Sequence, residues 1–95
     1  MLTHEDIRSG VQGLAGDYPI VRVSYFGSYA DGRATDGSDL DVLVEFATPA
    51  VSLLTLLEIK YRLEDALEVP VDVVHAPVPE GSLLEVCNEV PVYAA

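Results

Sequence analysis

Three short runs of β-branched and aromatic residues, separated by segments of helical periodicity, most constrain what this chain can fold into. Branched and aromatic side chains favour strands because they pack well on a pleated, half-buried surface. The runs predict strands over residues 20–26, 38–46 and 69–75. Strands that alternate with helices bury apolar side chains between a sheet and the helices that cover it, so we expect an α/β (α+β) domain.

The segment over residues 49–68 gives the strongest helix prediction, because it contains no Gly or Pro after its first residue. Its apolar residues recur at a spacing of three or four, which is the period of one helix face. This stripe consists of Leu56, Ile59, Leu63 and Ala66. Leu54, Leu57 and Tyr61 lie on a different arc, so we expect an apolar patch that either docks against a partner or is covered by the rest of the chain.

Both ends of the chain also carry signals of regular structure. Thr3, which is followed by two acids, predicts the N-cap of a first helix. Residues 82–90 predict a last helix, and residues 91–95 predict a short edge strand or a tail.

The length, charge and cysteine content of the chain predict its number of domains, its possible partners and its compartment. The 95 residues suffice for one modest core, so we expect a single domain over residues 1–95. With 5 Lys and Arg against 16 Asp and Glu, the net charge of -11 disfavours direct binding to nucleic acid. A single cysteine and the absence of a long apolar run predict a soluble cytoplasmic protein without a membrane segment.

Two acids stand one residue apart at the head of the second predicted strand. Because side chains alternate along a strand, Asp39 and Asp41 would project to the same face and repel each other. Asp72 is a third acid between apolar residues of the third predicted strand, where a carboxylate is costly unless it is paired or metal-bound. Carboxylate oxygens are ligands of Mg²⁺, so a bound cation would relieve the repulsion if these two strands are neighbours.

A Gly-Ser pair ends the first predicted strand. Gly27 lets the backbone approach a phosphate closely, and free N–H groups together with the Ser28 hydroxyl can hold a triphosphate. A metal ion would then bridge the carboxylates and the phosphates. The alternative is an ordinary turn followed by solvated acids. The combination of Gly-Ser, Asp-x-Asp and a downstream acid on a strand favours the phosphate site.

The stretch GSYADGRATDGSDLDVLV resembles the signature of the minimal nucleotidyltransferases of the DNA polymerase β-like superfamily. In that signature Gly-Ser is followed after ten residues by Asp-x-Asp, and later by a third Asp on a strand. Here these positions are occupied by Gly27, Ser28, Asp39, Asp41 and Asp72. The resemblance implies a small mixed sheet with flanking helices, two Mg²⁺ ions held by the three acids, and ATP as the substrate.

The resemblance also implies roles for single residues. Asp72 would act as the general base or as the ligand that makes a base unnecessary. The nucleotide would be contacted by Gly27, Ser28, Arg33 and Ser38. The family often reads Gly-Ser-x-Ala-Arg-Gly, whereas Asp31 stands at the arginine position here. An acid beside a triphosphate predicts weaker nucleotide binding.

Minimal domains of this family imply a partner, because the chain has no second domain to hold an acceptor. Such a domain is often the antitoxin of a pair with an α-helical HEPN ribonuclease toxin, and it transfers AMP to a tyrosine of that toxin. The resemblance therefore implies a hetero-oligomer with a HEPN-type toxin. Two alternatives stay open: a catalytically idle antitoxin that neutralises by contact, and a nucleotidyltransferase acting on a small molecule such as an aminoglycoside.

Overall fold

The computed structural model describes residues 2–35, 37–48, 50–76 and 89–94. Along the chain these form α1 (His4–Ala15), β1 (Ile20–Phe26), β2 (Leu40–Phe46), α2 (Leu53–Leu67), β3 (Val71–Ala76) and β4 (Val90–Ala94). The sheet has the order β3-β2-β1-β4. Strand β1 runs antiparallel to β2 and β4, whereas β2 and β3 are parallel. The predicted small mixed sheet with flanking helices is therefore confirmed.

Helix α1 begins where the sequence predicts. The Thr3 side chain accepts a hydrogen bond from the Asp6 N–H, and the Asp6 carboxylate accepts one from the Thr3 N–H, which together form a capping box. Gly10 does not break the helix. A Cβ at Gly10 would lie 2.8 Å from Leu67 Cδ2, so this glycine allows α1 to approach the end of α2 closely.

Helix α2 is shorter than the predicted segment, since it begins at Leu53 behind the N-cap Ser52. Its buried residues are Ile59, Leu63 and Leu67. Two members of the predicted stripe are not buried in this way, because Leu56 is half-buried and Ala66 is exposed. On the opposite arc, Leu54 is 75% and Tyr61 is 59% exposed, while Leu57 is half-buried.

The core lies between the two helices and one face of the sheet. In β2 the residues Leu40, Val42, Val44 and Phe46 are buried and belong to the same apolar cluster as the buried residues of both helices. The alternate residues of β2 are half-buried, and they include Asp41 and Glu45. Because side chains alternate along a strand, the acids of β2 project from the sheet face that is turned away from the helices.

Besides the bounds of α2, three further predicted element bounds are wrong. Strand β2 begins at Leu40 rather than at residue 38, so Ser38 and Asp39 precede the strand. Strand β3 begins two residues later than predicted, at Val71. Val90 starts β4 instead of ending a last helix, and β4 is the edge strand that was one of two predictions for the C-terminus. The remainder of that predicted helix, up to residue 88, lies outside the described residues.

Neither helix in the described part of the chain has the length and apolar character needed to cross a lipid bilayer.

Candidate active site

Two of the three predicted acids lie side by side on neighbouring strands. In the parallel pairing of β2 and β3, Asp41 is the register partner of Asp72. Side chains of register partners point to the same face, and adjacent strands lie about 4.8 Å apart. The sequence set the condition that these two strands be neighbours, and the structure meets it, so that Asp41 and Asp72 lie together on the open face of the sheet.

Asp41 has a pKa that is raised above its ordinary value of 3.8. Burial is the largest cause, followed by the negative charges of Asp72 and Asp39. The neighbouring carboxyl group of Asp72 therefore contributes to the raised pKa of Asp41. Negative charge is therefore crowded at Asp41, and a bound cation would relieve it.

Asp39 takes a different position from the one that its spacing predicts. It lies one residue before β2 begins, and it is exposed. Its charge still acts on Asp41, because it contributes to the raised pKa of that carboxyl. Among the described residues, no Lys or Arg forms an ion pair with any of these three acids.

The donor set fits Mg²⁺ in the way that this ion usually binds. Within the parts of the chain that the structure describes, no three His, Cys, Asp or Glu side chains are arranged as a complete metal site. Mg²⁺ seldom needs one, because it commonly takes one or two carboxylates and completes its shell with water and substrate phosphates. Asp41 and Asp72 supply those carboxylates, and Asp39 adds a third negative charge nearby.

Gly27 connects the end of β1 to this acidic pair. Its φ of 74° lies in the left-handed region, which favours glycine over other residues. A Cβ at this position would also lie 2.5 Å from Asp41 Oδ2, so a larger residue would displace the carboxylate. The glycine of the Gly-Ser motif is therefore required twice, by the turn and by its approach to Asp41.

The loop after Gly27 folds back on itself beside the acids. The Asp31 N–H donates to the Gly27 carbonyl at 3.0 Å, and the Arg33 N–H donates to the Ser28 carbonyl at 2.9 Å. In the described part of the chain the Ser28 hydroxyl makes no hydrogen bond. A ligand that approaches this loop can therefore use that hydroxyl.

Asp31 and Arg33 form an ion pair within this loop. The Arg33 guanidinium lies 2.7 Å from Asp31 Oδ2, and the Arg33 side chain is 76% exposed. The positive charge of Arg33 offsets the negative charge of Asp31, which stands where the family often has arginine. The acid therefore opposes an approaching phosphate less than the sequence alone predicts.

Ser38 and Tyr29 have structural roles in the same region. The Ser38 Oγ accepts from the Thr35 N–H at 2.8 Å, and the Ser38 N–H donates to the Thr35 carbonyl at 3.0 Å. Ser38 thus closes the turn before Asp39, and its predicted contact with nucleotide stays a prediction. Tyr29 packs against the apolar core and so anchors the loop, although its hydroxyl is buried without a hydrogen-bond partner in the described ranges.

Two residues of α2 that the sequence patterns did not single out contact the start of β3. They are Lys60 and Glu64, which bond to the backbone of Val71. Lys60 and Glu64 are four residues apart on the helix, a spacing that indicates an ion pair between them. Nothing in the sequence indicates that the pair also reaches the strand that carries Asp72.

The sheet is mixed and four-stranded, and helices cover one of its faces. The other face carries neighbouring acids beside a glycine turn. This combination defines the polymerase β-like nucleotidyltransferase class. The family described as "Nucleotidyltransferase domain" matches residues 7–92. This protein belongs to that family, as its motifs predict.

Individual relatives agree with this assignment. The chain is 37% identical over 78 residues to the protein adenylyltransferase MntA of Thermococcus cleftensis, covering 78% of each chain. It superposes with a TM-score of 0.75 on a toxin-antitoxin crystal structure with AMP-PNP, at 21% identity, covering 99% of this chain and 75% of that one. It also superposes on a structure of a tri-AMPylated Shewanella oneidensis HEPN toxin in complex with MNT antitoxin, with a TM-score of 0.72 at 18% identity, covering 98% of this chain and 74% of that one. Because the sequence identity to both structures is low, these superpositions show the fold of this chain and nothing beyond it.

Proposed function

We propose that this protein is a Mg²⁺-dependent adenylyltransferase that serves as an antitoxin and transfers AMP from ATP to a tyrosine of a HEPN-type toxin. The observation that carries the proposal is the Asp41–Asp72 pair, whose adjacent positions on parallel strands and lack of a described basic partner suit a cation. In the adjoining turn the Ser28 hydroxyl makes no hydrogen bond within the described part of the chain, so it can bond to a phosphate. The relative named a protein adenylyltransferase supports AMP as the transferred group.

The residues divide the work between binding and proton transfer. Gly27 and Ser28 bind the phosphate chain through backbone N–H groups and the free hydroxyl, and Arg33 adds positive charge from the same loop. Asp41 and Asp72 hold Mg²⁺, with Asp39 as a further ligand when a second ion is present. When bound, the ions neutralise charge on the phosphates and lower the pKa of the acceptor hydroxyl.

The reaction itself is an in-line displacement at the α-phosphorus. A bond forms between the acceptor oxygen and the α-phosphorus, the bond from this phosphorus to the oxygen bridging to the β-phosphate breaks, and pyrophosphate leaves. The proton of the acceptor hydroxyl passes to the Asp72 carboxylate, which lies on the exposed side of the pair. Positioning and charge stabilisation supply most of the rate enhancement, because the protein forms no covalent bond with the substrate.

The acceptor side of the reaction requires a second protein. We treat residues 1–95 as one minimal domain in which the open face of the sheet holds the acids, so the partner presents its own tyrosine there. The net charge of -11 favours a partner with a basic face and disfavours nucleic acid, since complementary potentials speed encounter. We place the hetero-oligomer in the cytoplasm, which suits a chain with one cysteine.

A contact-only antitoxin is the second candidate, and one observation favours it. Asp31 occupies the position where the family often has arginine, and its ion pair engages Arg33, the base nearest to the Gly-Ser motif. If Arg33 stays with Asp31 when ATP is present, the loop offers the phosphates little positive charge. The protein would then neutralise its partner by binding alone.

A transfer assay with purified proteins separates the two candidates. Wild-type protein, the cognate toxin and Mg²⁺ are incubated with ATP labelled either at the α-phosphate or at the γ-phosphate. The enzyme reading predicts label on the toxin only from the α-labelled ATP, and none with Asp41→Asn. Absence of toxin labelling in a mixture where the two proteins still form a complex would establish the contact-only antitoxin instead.

A further inference from the structure

The start of β3 lies on an open edge of the sheet, directly beside Asp72. Strand β3 pairs only with β2 in the described sheet, and the Leu40 N–H donates to the Pro70 carbonyl at 2.9 Å. In a parallel ladder the residue opposite such a donor turns its own N–H and C=O away from the partner strand. That residue is Val71, the register partner of Leu40. Its backbone groups therefore face outward, although its side chain is completely buried.

An ion pair from α2 bonds to both of these outward groups. Lys60 Nζ donates to the Val71 carbonyl at 2.6 Å, and the Val71 N–H donates to Glu64 Oε2 at 2.9 Å. Lys60 and Glu64 also lie 3.0 Å from each other, with side chains 30% and 28% exposed. The Val71 N–H is the main reason why the pKa of Glu64 lies below its ordinary value, and Lys60 is the second. We call these three residues the edge clamp.

We propose that Lys60 and Glu64 are positioning residues for Asp72. The edge clamp bonds to the outer side of Val71, where the described sheet has no further strand, and so fixes the backbone one residue before the acid. Asp72 itself is exposed, and its side chain has no described basic partner to hold it in place. Its alignment with Asp41 therefore depends on the backbone of β3. This inference rests on the proposed metal site.

A clamp of this kind acts on metal binding as well as on folding. Groups behind the ligands of a metal site typically change its affinity by about 10–100-fold when they are removed, because they fix the orientation of the ligands. A displacement of about 1 Å at a reacting group can cost about a hundredfold in rate. Loss of the edge clamp should therefore weaken Mg²⁺ binding and turnover, while nucleotide contacts from the Gly27 loop persist.

The test compares two cation deletions on the same helix. Lys60→Met removes the donor of the edge clamp, whereas Arg62→Met removes a cation that pairs with Asp17 at 2.9 Å and bonds to the Tyr18 hydroxyl, away from β3. Both change the net charge equally. The Mg²⁺ dissociation constant is measured by titration calorimetry in the presence of a non-hydrolysable ATP analogue. Lys60→Met should raise it about tenfold and lower kcat similarly, with KM for ATP changed by less than about twofold.

Rescue by a conservative change and the matched control decide the outcome. Lys60→Arg, which keeps donors for both Val71 and Glu64, should restore most of the Mg²⁺ affinity. If Lys60→Met and Arg62→Met lose thermal stability alike and leave the Mg²⁺ affinity unchanged, the clamp is only structural and the inference is wrong. A wild type that binds no Mg²⁺ also overturns it. Binding of Mg²⁺ without AMP transfer would instead contradict the proposed function and leave the comparison of affinities valid.

Amide hydrogen exchange of the wild type provides a second test that needs no variant. Val71 and Val73 both turn their N–H groups to the outer edge of β3, and the described structure gives an acceptor only to Val71. The Val71 amide should therefore exchange at least about tenfold more slowly than the Val73 amide. Equal exchange rates at these two amides would show that the edge clamp does not form in solution.

Discussion

Replacing Asp41 by Asn should stabilise the metal-free protein near neutral pH. The pKa of the Asp41 carboxyl is raised in the folded state, so the folded protein holds its proton more tightly than the unfolded chain does. For an acid with a raised pKa, stability falls as the pH rises through that pKa, because the unfolded state then binds fewer protons. At neutral pH the ionised carboxylate therefore costs stability, and Asn removes this cost.

The size of the effect follows from the strand geometry. Two charges about 5 Å apart repel by about 0.8 kcal/mol in water and about 3 kcal/mol at an effective dielectric constant of 20. Asp72 is exposed, so the value near the lower limit applies, and we expect about 1 kcal/mol. For a domain of this size that corresponds to a rise of about 4–8 °C in Tm.

The assay is thermal unfolding in a chelating buffer from about pH 3 to about pH 7. Asp39→Asn is the matched control, because it changes the net charge equally but removes an exposed acid that is only the third cause of the Asp41 shift. The difference between Asp41→Asn and wild type should shrink as the pH falls and vanish well below the ordinary pKa of 3.8, where the Asp41 carboxyl is protonated in both the folded and the unfolded state. Saturating Mg²⁺ with nucleotide should raise the Tm of the wild type and leave Asp41→Asn nearly unchanged. Equal stabilisation by both substitutions would mean general relief of negative charge, and would refute the paired site.

Three further variants, one of them a double substitution, test the loop and the outer face of α2. Asp31→Arg should lower the ATP dissociation constant several-fold, because it reverses a charge whose interaction with a phosphate is worth about 1 kcal/mol at ~4 Å even in water. Equilibrium binding of a labelled nucleotide measures this constant. An unchanged constant would place the side chain away from the phosphates. Gly27→Ala should cost about 1 kcal/mol of stability, because residue 27 has a left-handed φ, and it should also reduce Mg²⁺ affinity. Thermal unfolding with and without the ion measures both effects. A variant with normal Mg²⁺ affinity would show that the close approach of Gly27 to Asp41 is unimportant. Leu54→Asp with Tyr61→Asp should leave stability within about 0.5 kcal/mol, because both residues are exposed, yet abolish co-purification with the toxin. Leu53→Asp, which is also exposed but lies about 100° around the helix from Leu54, is the control, and retention of the toxin by the folded double variant would remove this patch as the interface.

Much of the fold was predictable because its strands are marked by local composition. The run IVRVSYF matches β1 residue for residue, and Thr3 caps α1 as its hydroxyl and the following acids predict. The start of β2 was not predictable in the same way. Asp39 continues the alternation of the strand, but the Thr35–Ser38 turn holds the chain back until Leu40. Local hydrogen bonds of this kind compete with strand pairing and leave no trace in the periodicity.

The proximity of Asp41 and Asp72 was predictable only in part. Asp41 and Asp72 are separated by a helix along the chain, and only the parallel register of two strands places them together. The prediction of a shared site depended on the assumption that these strands are neighbours. Asp72 favoured that assumption, because an acid in an apolar strand is costly unless it is paired or metal-bound. The ion pair of Asp31 with Arg33 and the contact of Lys60 with Val71 depend on side-chain directions after folding. No spacing rule in the sequence reports those directions.

The mass of the toxin after co-expression tests the central claim most directly. The cognate toxin is purified from cells that also produce either wild-type protein or Asp41→Asn, and its intact mass and modified residue are determined by mass spectrometry. We predict that the toxin carries AMP on a tyrosine when the wild type is present, and none when Asp41 is replaced. A toxin that is neutralised by the wild type but carries no AMP would contradict the claim that the Asp41–Asp72 pair is a centre of AMP transfer.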